Sequence, residues 1–380
     1  MKVLHLISGG DTGGAKTHIN NLLVELDKMI DLKMICFIEG EFFYELKAKG
    51  IDIEVFKQEK RYDMSIMSRL KKEIERENYD IIHCHGARAN FISMFLKREY
   101  NIPFITTIHS DYKLDFKDNF YKKIAYTAMN TIALKKFDYY IAISTNFKQM
   151  LVDRGFNKNN IFTVYNGIDF KDNIKYIPKE EFLKRYNINA ENKIIVGIAA
   201  RLDLVKDHDT FIEAAYKVLQ TRRDIIFLIA GDGNEEKRLL SKVKELKIED
   251  HVHFLGFVKD PYSFFNAIDI NVLTSVSESF PYVILEGARF KKPIISTNVG
   301  GVSDLIIDGD NGWLINIGDS EALSRYIKYF LNDEAKIKTF GENLYMNVKN
   351  KFSSQKMALD HLRIYENIIQ TRRMRNEDNK

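Results

Sequence analysis

A chain of 380 residues is long for one hydrophobic core and comfortable for two, since single cores stop growing at roughly 250–300 residues. Apolar residues make up 45% and charged residues 29%, a globular balance that excludes a disordered chain. The 57 basic and 53 acidic side chains are interspersed and leave a net charge of +4, which argues against a nucleic-acid partner, and no apolar run reaches the roughly 20 residues that span a bilayer.

The chain opens on Met1-Lys2-Val3-Leu4-His5-Leu6-Ile7-Ser8, an apolar run without the basic start and cleavage site of a signal peptide; it predicts a first buried strand. Cys36 and Cys84 lie in apolar runs with no CxxC spacing, so a reducing, cytoplasmic setting without structural disulfides is expected. Short Val- and Ile-rich runs then alternate with helical patterns, the rhythm of a parallel sheet with crossover helices. In the first half the predicted strands are residues 2–8, 33–38, 51–56, 81–85, 104–109, 139–144 and 161–165. Several are apolar without alternation, which implies burial on both faces. A polar, lysine-rich stretch at 169–190, broken by Pro178, predicts a linker between domains at 1–168 and 191–356. The same rhythm restarts at 193–200 and continues through 225–230, 251–257, 268–274 and 293–297. Helices follow near 321–332, 333–349 and 354–372, ending in a solvated tail. A cleft between two such sheets is the expected ligand site, because open α/β sheets bind ligands beyond the carboxyl ends of their strands.

Strand one runs into Gly9-Gly10-Asp11-Thr12-Gly13-Gly14 ahead of a helix. A glycine loop opening a helix exposes N–H groups to phosphate or sugar oxygens, and a turn serving only tight packing accounts for it too. It lacks the glycine register of a dinucleotide-binding fingerprint. In Asp80-Ile-Ile-His83-Cys84-His85-Gly86, alternation puts His83 and His85 on one side; such a pair can bind zinc, yet no third ligand stands at a familiar spacing, so no metal is expected. His85, with Arg88 just beyond, is expected to line the cleft, and His109 ends a strand where it can orient an acceptor hydroxyl or serve as an ordinary strand-end histidine.

Strand 193–200 ends in Arg201-Leu-Asp-Leu-Val-Lys206-Asp-His-Asp209, with Asp209 or Thr210 expected to cap the next helix. Two cations beside a helix start suit a diphosphate, Arg bidentately and Lys as a point charge, though exposed loop cations give the same pattern. After strand 268–274 comes Ser277-Glu278-Ser-Phe280-Pro281-Tyr-Val-Ile-Leu-Glu286-Gly287, where Pro281 fits a first helical turn. Sugar hydroxyls are good donors to carboxylates held this way, and surface charges remain the plain alternative.

Glu278 and Glu286 eight residues apart, preceded by Arg201 and Lys206, with the Gly-Gly-x-x-Gly-Gly loop and Val164-Tyr-Asn166-Gly167-Ile-Asp169, resemble the retaining glycosyltransferases of family 4 across nearly the whole chain. The resemblance implies an α/β GT-B fold, two Rossmann-like domains facing a central cleft, with the last helix, about 357–380, crossing back to the first domain. It implies a nucleoside-diphosphate sugar as donor and a glycan or lipid-linked acceptor, in cell-surface polysaccharide or glycolipid synthesis. Arg201 and Lys206 would hold the diphosphate, Glu286 the ribose, Glu278 the sugar hydroxyls, and the backbone at Phe280 and Pro281 would approach the donor. Gly13, Gly14, His85 and Arg88 would face the acceptor, with His109 as the active-site histidine. No metal or other cofactor is implied, so Asp207-His208-Asp209 is discounted as an Asp-x-Asp metal motif. Where the family usually has Gly after the lysine, this chain has Asp207, which is expected to alter the loop. A nucleotide-sugar epimerase or hydrolase, or a non-catalytic binding protein on the same scaffold, are the rival readings. Residues 120–137 mix aromatic and lysine side chains, as in an interfacial helix on the inner face of a membrane or a core-packed helix with a solvated basic face.

Overall fold

The computed structural model describes residues 1–10, 13–60, 63–113, 120–170 and 174–377, and the chain divides into two compact units, Met1–Asp169 with Ser354–Lys380 and Phe170–Ser353.

Unit 1 alternates strands and helices in chain order. They are β1 (Lys2–Ile7), α1 (Gly14–Leu26), β2 (Asp31–Cys36), α2 (Glu41–Ala48), β3 (Ile53–Val55), α3 (Met67–Glu77), β4 (Ile81–His85), α4 (Gly86–Leu96), β5 (Phe104–Ile108), α5 (Phe120–Leu134), β6 (Tyr139–Ala142), α6 (Thr145–Asp153) and β7 (Ile161–Thr163). The strands form one parallel sheet in the order β3-β2-β1-β4-β5-β6-β7. Strands β4 and β5 are buried at every position, because helices cover both faces of the sheet. One core cluster joins Leu4, Leu6, Ile82, Cys84 and Phe104, and a second, across the sheet, joins Val3, Ile7, Ile81 and Ile105 to Ile19, Leu22 and Leu23 of α1.

Unit 2 repeats the plan: α7 (Lys179–Arg185), β8 (Ile194–Ala199), α8 (His208–Leu219), β9 (Ile225–Ala230), α9 (Glu236–Glu245), β10 (Val252–Gly256), α10 (Pro261–Ala267), β11 (Ile270–Leu273), α11 (Tyr282–Arg289), β12 (Ile294–Thr297), α12 (Val302–Leu305), β13 (Gly312–Ile315), α13 (Ser320–Asn332) and α14 (Ala335–Lys351). Its parallel sheet runs β10-β9-β8-β11-β12-β13. Helix starts follow the capping rules: Asp260 precedes Pro261 and accepts from the Ser263 N–H, and Asp319 accepts from the Ala322 N–H.

Helix α15 (Ser354–Glu377) returns to unit 1 and packs along α1. Met357, Ala358, Tyr365 and Ile368 are buried in the same cluster as Ile19 and Leu22. At roughly 1.5–3 kcal/mol for each large apolar side chain buried, this face is a substantial part of the stability of unit 1.

Two expectations change. The stretch 169–190 is not all connection, because α7 buries Phe182 and Leu183 against Phe264 and Ile268 in the core of unit 2. Strand β13 was not expected; it is only four residues long and begins immediately after the turn at Gly309-Asp310-Asn311. In helix α5 the side chains of 120–126, including the Tyr121, Lys122, Lys123 and Tyr126 of the basic-aromatic pattern, lie outside the described residues. Farther on, Leu134 and Phe137 are buried in the core while Lys135 and Lys136 are exposed.

Candidate active site

Both sheets begin with the order 3-2-1-4-5-6, to which unit 1 adds a seventh strand, so strand order reverses between β1 and β4 in unit 1 and between β8 and β11 in unit 2. At such a switch the following loops diverge to opposite sides and leave a crevice at the carboxyl ends of the strands.

In unit 2 the loops after β8 and β11 meet at that crevice. Leaving β8, Arg201 is 73% exposed and its Nη2 lies 3.0 Å from Asp203 Oδ2. Asp203 turns the chain by accepting from the N–H groups of Val205 and Lys206. From the next loop, Thr274 donates to the Lys206 carbonyl, and the Val276 N–H donates to the Val205 carbonyl. These bonds fasten the two loops together and bring the largely buried Lys206 Nζ to 2.6 Å from Glu278 Oε1. Ser275 Oγ donates to the same carboxylate oxygen at 2.6 Å. Glu278 and Lys206 thus face each other across the switch point from sequence positions 72 apart.

Asp207 occupies the left-handed region at φ 45° and ψ 58°, the conformation a glycine adopts freely. It also caps α8: Oδ1 accepts from the Thr210 N–H, and Oδ2 takes the Thr210 hydroxyl at 2.6 Å. The cap expected at Asp209 or Thr210 is therefore Asp207, and the acid at the usual glycine position keeps the loop's turn. Asp209, two residues on, is ion-paired with Arg238 and Lys242. Both carboxylates of the Asp-x-Asp pattern are engaged within the protein.

Pro281 is the N-cap of α11 rather than its first residue, and Phe280 is buried with its ring 5.4 Å from Phe352, so Phe280 offers a ligand its backbone only. Inside α11, Glu286 is half-buried, and the protein packed about its carboxyl pushes the pKa up to about 7. Sequence reasoning passed over two glycines that shape the crevice. A Cβ on Gly231, after β9, would sit 1.9 Å from the Ala200 carbonyl oxygen, and one on Gly300, after β12, 1.7 Å from the Glu278 carbonyl oxygen. The signal was present as Gly231-Asp232-Gly233 directly after one apolar strand and Gly300-Gly301 three residues after another.

In unit 1 the crevice between β1 and β4 is lined from within by histidines. His5, His18, His83, His85 and His361 are buried, and His109 is half-buried at the end of β5. The rings pack on one another: His83 and His85 centroids are 4.3 Å apart, His5 and His85 stack at 5.4 Å, and His18 meets His109 edge-on at 4.7 Å. Burial holds every one of these imidazoles neutral at ordinary pH, with His5 and His18 pushed down to about 3 and His361 to about 4. The third histidine absent from the local spacing is His5 on β1. The ligand nitrogens of His5, His83 and His85 lie within 4.8 Å of one another, the one such group among the described residues. His83 spends Nδ1 on the Tyr365 hydroxyl at 2.6 Å and Nε2 on Thr107 at 2.8 Å, so holding a metal there would break one of these bonds.

Residues 179–346 match the model of the group 1 glycosyl transferases, and residues 12–172 that of glycosyltransferase family 4. The N-acetyl-alpha-D-glucosaminyl L-malate synthase of Bacillus anthracis is 30% identical over 319 residues, 81% of this chain and 80% of that protein. The chain belongs to glycosyltransferase family 4. The O-antigen biosynthesis glycosyltransferase WclY of Escherichia coli is 26% identical over 379 residues, 97% of this chain and 99% of its own. Among solved structures, Anabaena HepE in complex with UDP superposes with a TM-score of 0.82 at 22% identity, covering 97% of this chain and all of that one. The fold is accordingly GT-B, and the protein is a transferase.

Within this family 4 glycosyltransferase the structure gathers Lys206, Glu278, Arg201 and the start of α11 in one crevice of unit 2. In unit 1, Gly13 is the N-cap of α1 at φ 64° and Gly14 its first residue. Arg88 on α4 donates from Nε to Gln58 at 2.6 Å. His85 does not line a ligand surface as expected: it is 1% exposed, with one nitrogen on His5 and the other on His109. Alternation along β4 gave its side of the sheet correctly and could not show that the neighbouring strands' histidines enclose it. Among the described residues no helix is long and apolar enough to cross a membrane.

Proposed function

We propose that this glycosyltransferase moves a sugar, with retention, from a nucleoside-diphosphate sugar to the hydroxyl of a glycan or lipid-linked acceptor in surface polysaccharide or glycolipid synthesis. The observation that carries the reading is the Lys206–Glu278 pair across the switch point of unit 2, beside the exposed Arg201. Two cations there meet the charge that grows on the departing diphosphate, which is where preorganised electrostatics accelerates group transfer most. With Asp207 capping α8 and Asp209 paired to Arg238 and Lys242, the cations carry that task without a metal ion.

Glu278 binds hydroxyls of the donor sugar, and Glu286 those of the ribose, while the backbone at Phe280 and Pro281 approaches the phosphates. On unit 1 the first turn of α1 after Gly13 and Gly14 offers N–H groups, and Arg88 a cation, to the acceptor. His109 orients the acceptor hydroxyl. The complexes of HepE with UDP and with UDP-glucose make uridine donors the first to screen. A relative named for capsular polysaccharide biosynthesis, CapM of Staphylococcus aureus, and the O-antigen enzyme WclY support the polysaccharide assignment.

The test is a donor screen by thermal shift, followed by mass spectrometry of products with candidate acceptors, on the wild type and Arg201→Ala. Losing one such contact costs on the order of 3 kcal/mol of transition-state stabilisation, so the variant is expected to fold normally and turn over roughly 100-fold more slowly. Full turnover by Arg201→Ala overturns the site. Donor consumption that needs no acceptor overturns transfer in favour of hydrolysis or epimerisation.

A further inference from the structure

We infer that the buried chain His5–His85–His109 fixes the tautomer of His109, with His85 as a positioning residue, so that His109 presents a protonated Nδ1 to the acceptor and takes no proton from it. The inference deepens the proposed function and rests on its reading that His109 meets the acceptor hydroxyl.

His5 Nδ1 lies 3.1 Å from His85 Nε2, and His85 Nδ1 lies 3.4 Å from His109 Nε2. Each ring is neutral and so carries a single proton, which leaves the chain two directions only. In one, His5 donates from Nδ1 to His85 Nε2, His85 donates from Nδ1 to His109 Nε2, and the proton of His109 sits on Nδ1. In the other every bond reverses: His109 donates inward from Nε2, His85 donates to His5 Nδ1, and the proton of His5 is forced onto Nε2. Reversal would change His109 Nδ1 from donor to acceptor with no change in net charge.

The inner end of the chain decides between them. His5 Nε2 is buried and has no hydrogen-bond partner. A buried N–H left unpaired is rarer in proteins than a buried acceptor left unpaired, so the direction that leaves a bare lone pair there is the stable one. Two neighbouring rings follow the same rule. His361 Nδ1 donates to the Met357 carbonyl at 2.8 Å, and His18 Nδ1 to Asn166 Oδ1 at 2.9 Å; in both, the nitrogen without a partner is Nε2, again a lone pair. His18 packed edge-on against His109 restricts the ring that the chain orients.

The experiment is two-bond proton–nitrogen correlation spectroscopy on the full-length protein labelled with ¹⁵N-histidine, near neutral pH. Signals are assigned from His5→Phe, His85→Phe and His109→Ala. Protonated Nδ1 on His5, His85 and His109 is the expected result; a proton on Nε2 of His5 or His109 in the wild type overturns the inference, whether or not any variant folds. His85→Phe removes the donor to His109 Nε2 and leaves its tautomer unfixed, so its two ¹⁵N shifts should move toward the averaged values of a ring exchanging between tautomers. Its kcat is expected to fall about 10- to 100-fold, the scale of losing an oriented contact, while KM for the donor stays within about twofold. An unfixed tautomer with unchanged kcat overturns the positioning role. If His109→Ala keeps full turnover, the reading of His109 as the acceptor's partner fails, and the spectra still decide the direction of the chain.

Discussion

Lys206 Nζ and Glu278 Oε1 stand 2.6 Å apart at the switch point of unit 2, so the cation proposed for the diphosphate is paired with the carboxylate proposed for the sugar. Donor binding must then exchange one partner for another. Glu278→Gln keeps the shape and the contact with Ser275 while releasing the lysine charge. The variant is expected to bind the free nucleoside diphosphate several-fold more tightly and to turn over at least 10-fold more slowly, because it gains charge for the leaving group and loses sugar orientation. Titration calorimetry with UDP, alongside steady-state rates, checks both; weaker binding would show that Glu278 supports Lys206 rather than competing for it.

Glu286 gives a pH dependence whose sign follows from burial. Its pKa is about 7 in the folded protein, above the usual carboxylate range, so folding favours the protonated form. The stabilisation is fully present below the unfolded-state pKa and is lost as pH rises through about 7. Donor hydroxyls prefer the carboxylate, so affinity should run the opposite way and fall as pH drops below about 7. Glu286→Gln should therefore be more stable than the wild type at alkaline pH, with a flatter pH profile of donor binding. Denaturant melts and binding titrations at matched pH values measure the two trends. Parallel profiles for the two proteins would remove Glu286 from the ribose site.

Asp207 combines a left-handed backbone with a helix cap, and substitutions separate the two. Asp207→Gly relieves the backbone and loses the cap, a change expected to stay within about 0.5 kcal/mol, since glycine is itself tolerated at N-caps. Asp207→Ala loses the cap and keeps the strain, for a cost of roughly 1–3 kcal/mol. Urea denaturation of the two variants, followed through the Trp313 fluorescence of unit 2, ranks them. Equal losses would mean that the side-chain cap alone matters.

Much of this was legible in the sequence wherever a signal was local. Apolar runs such as 225–230 located strands because a doubly covered parallel strand needs no alternation. The spacing of Arg201 and Lys206 after a strand placed two cations at a helix start. What stayed hidden depends on pairing across long separations. Nothing near His83 announces His5, which β1 brings alongside as the register partner of His83 itself. Asp207 reads as a departure at a glycine position, and only its φ of 45° and its bonds to Thr210 show the turn preserved. Phe182 and Leu183 were masked by the lysines and glutamates around them, though their burial makes α7 part of unit 2.

Gly300 tests how tightly the crevice is set. It adopts φ 54°, and an added Cβ would stand 1.7 Å from the Glu278 carbonyl oxygen, well inside any real contact. The neighbouring Gly301 N–H donates to the Ser279 carbonyl, so the β12 loop and the Glu278 segment are fastened together where they would have to part. Gly300→Ala should displace the backbone that carries Glu278 by a sizeable fraction of an ångström or more. Misplacement of about 1 Å can cost on the order of 100-fold in rate, so turnover should collapse. Far-ultraviolet circular dichroism should be unchanged, because both flanking strands, β11 and β12, keep their ladders. Wild-type activity in this variant would mean that Glu278 does not need its observed position, and with it the donor-sugar role would fall.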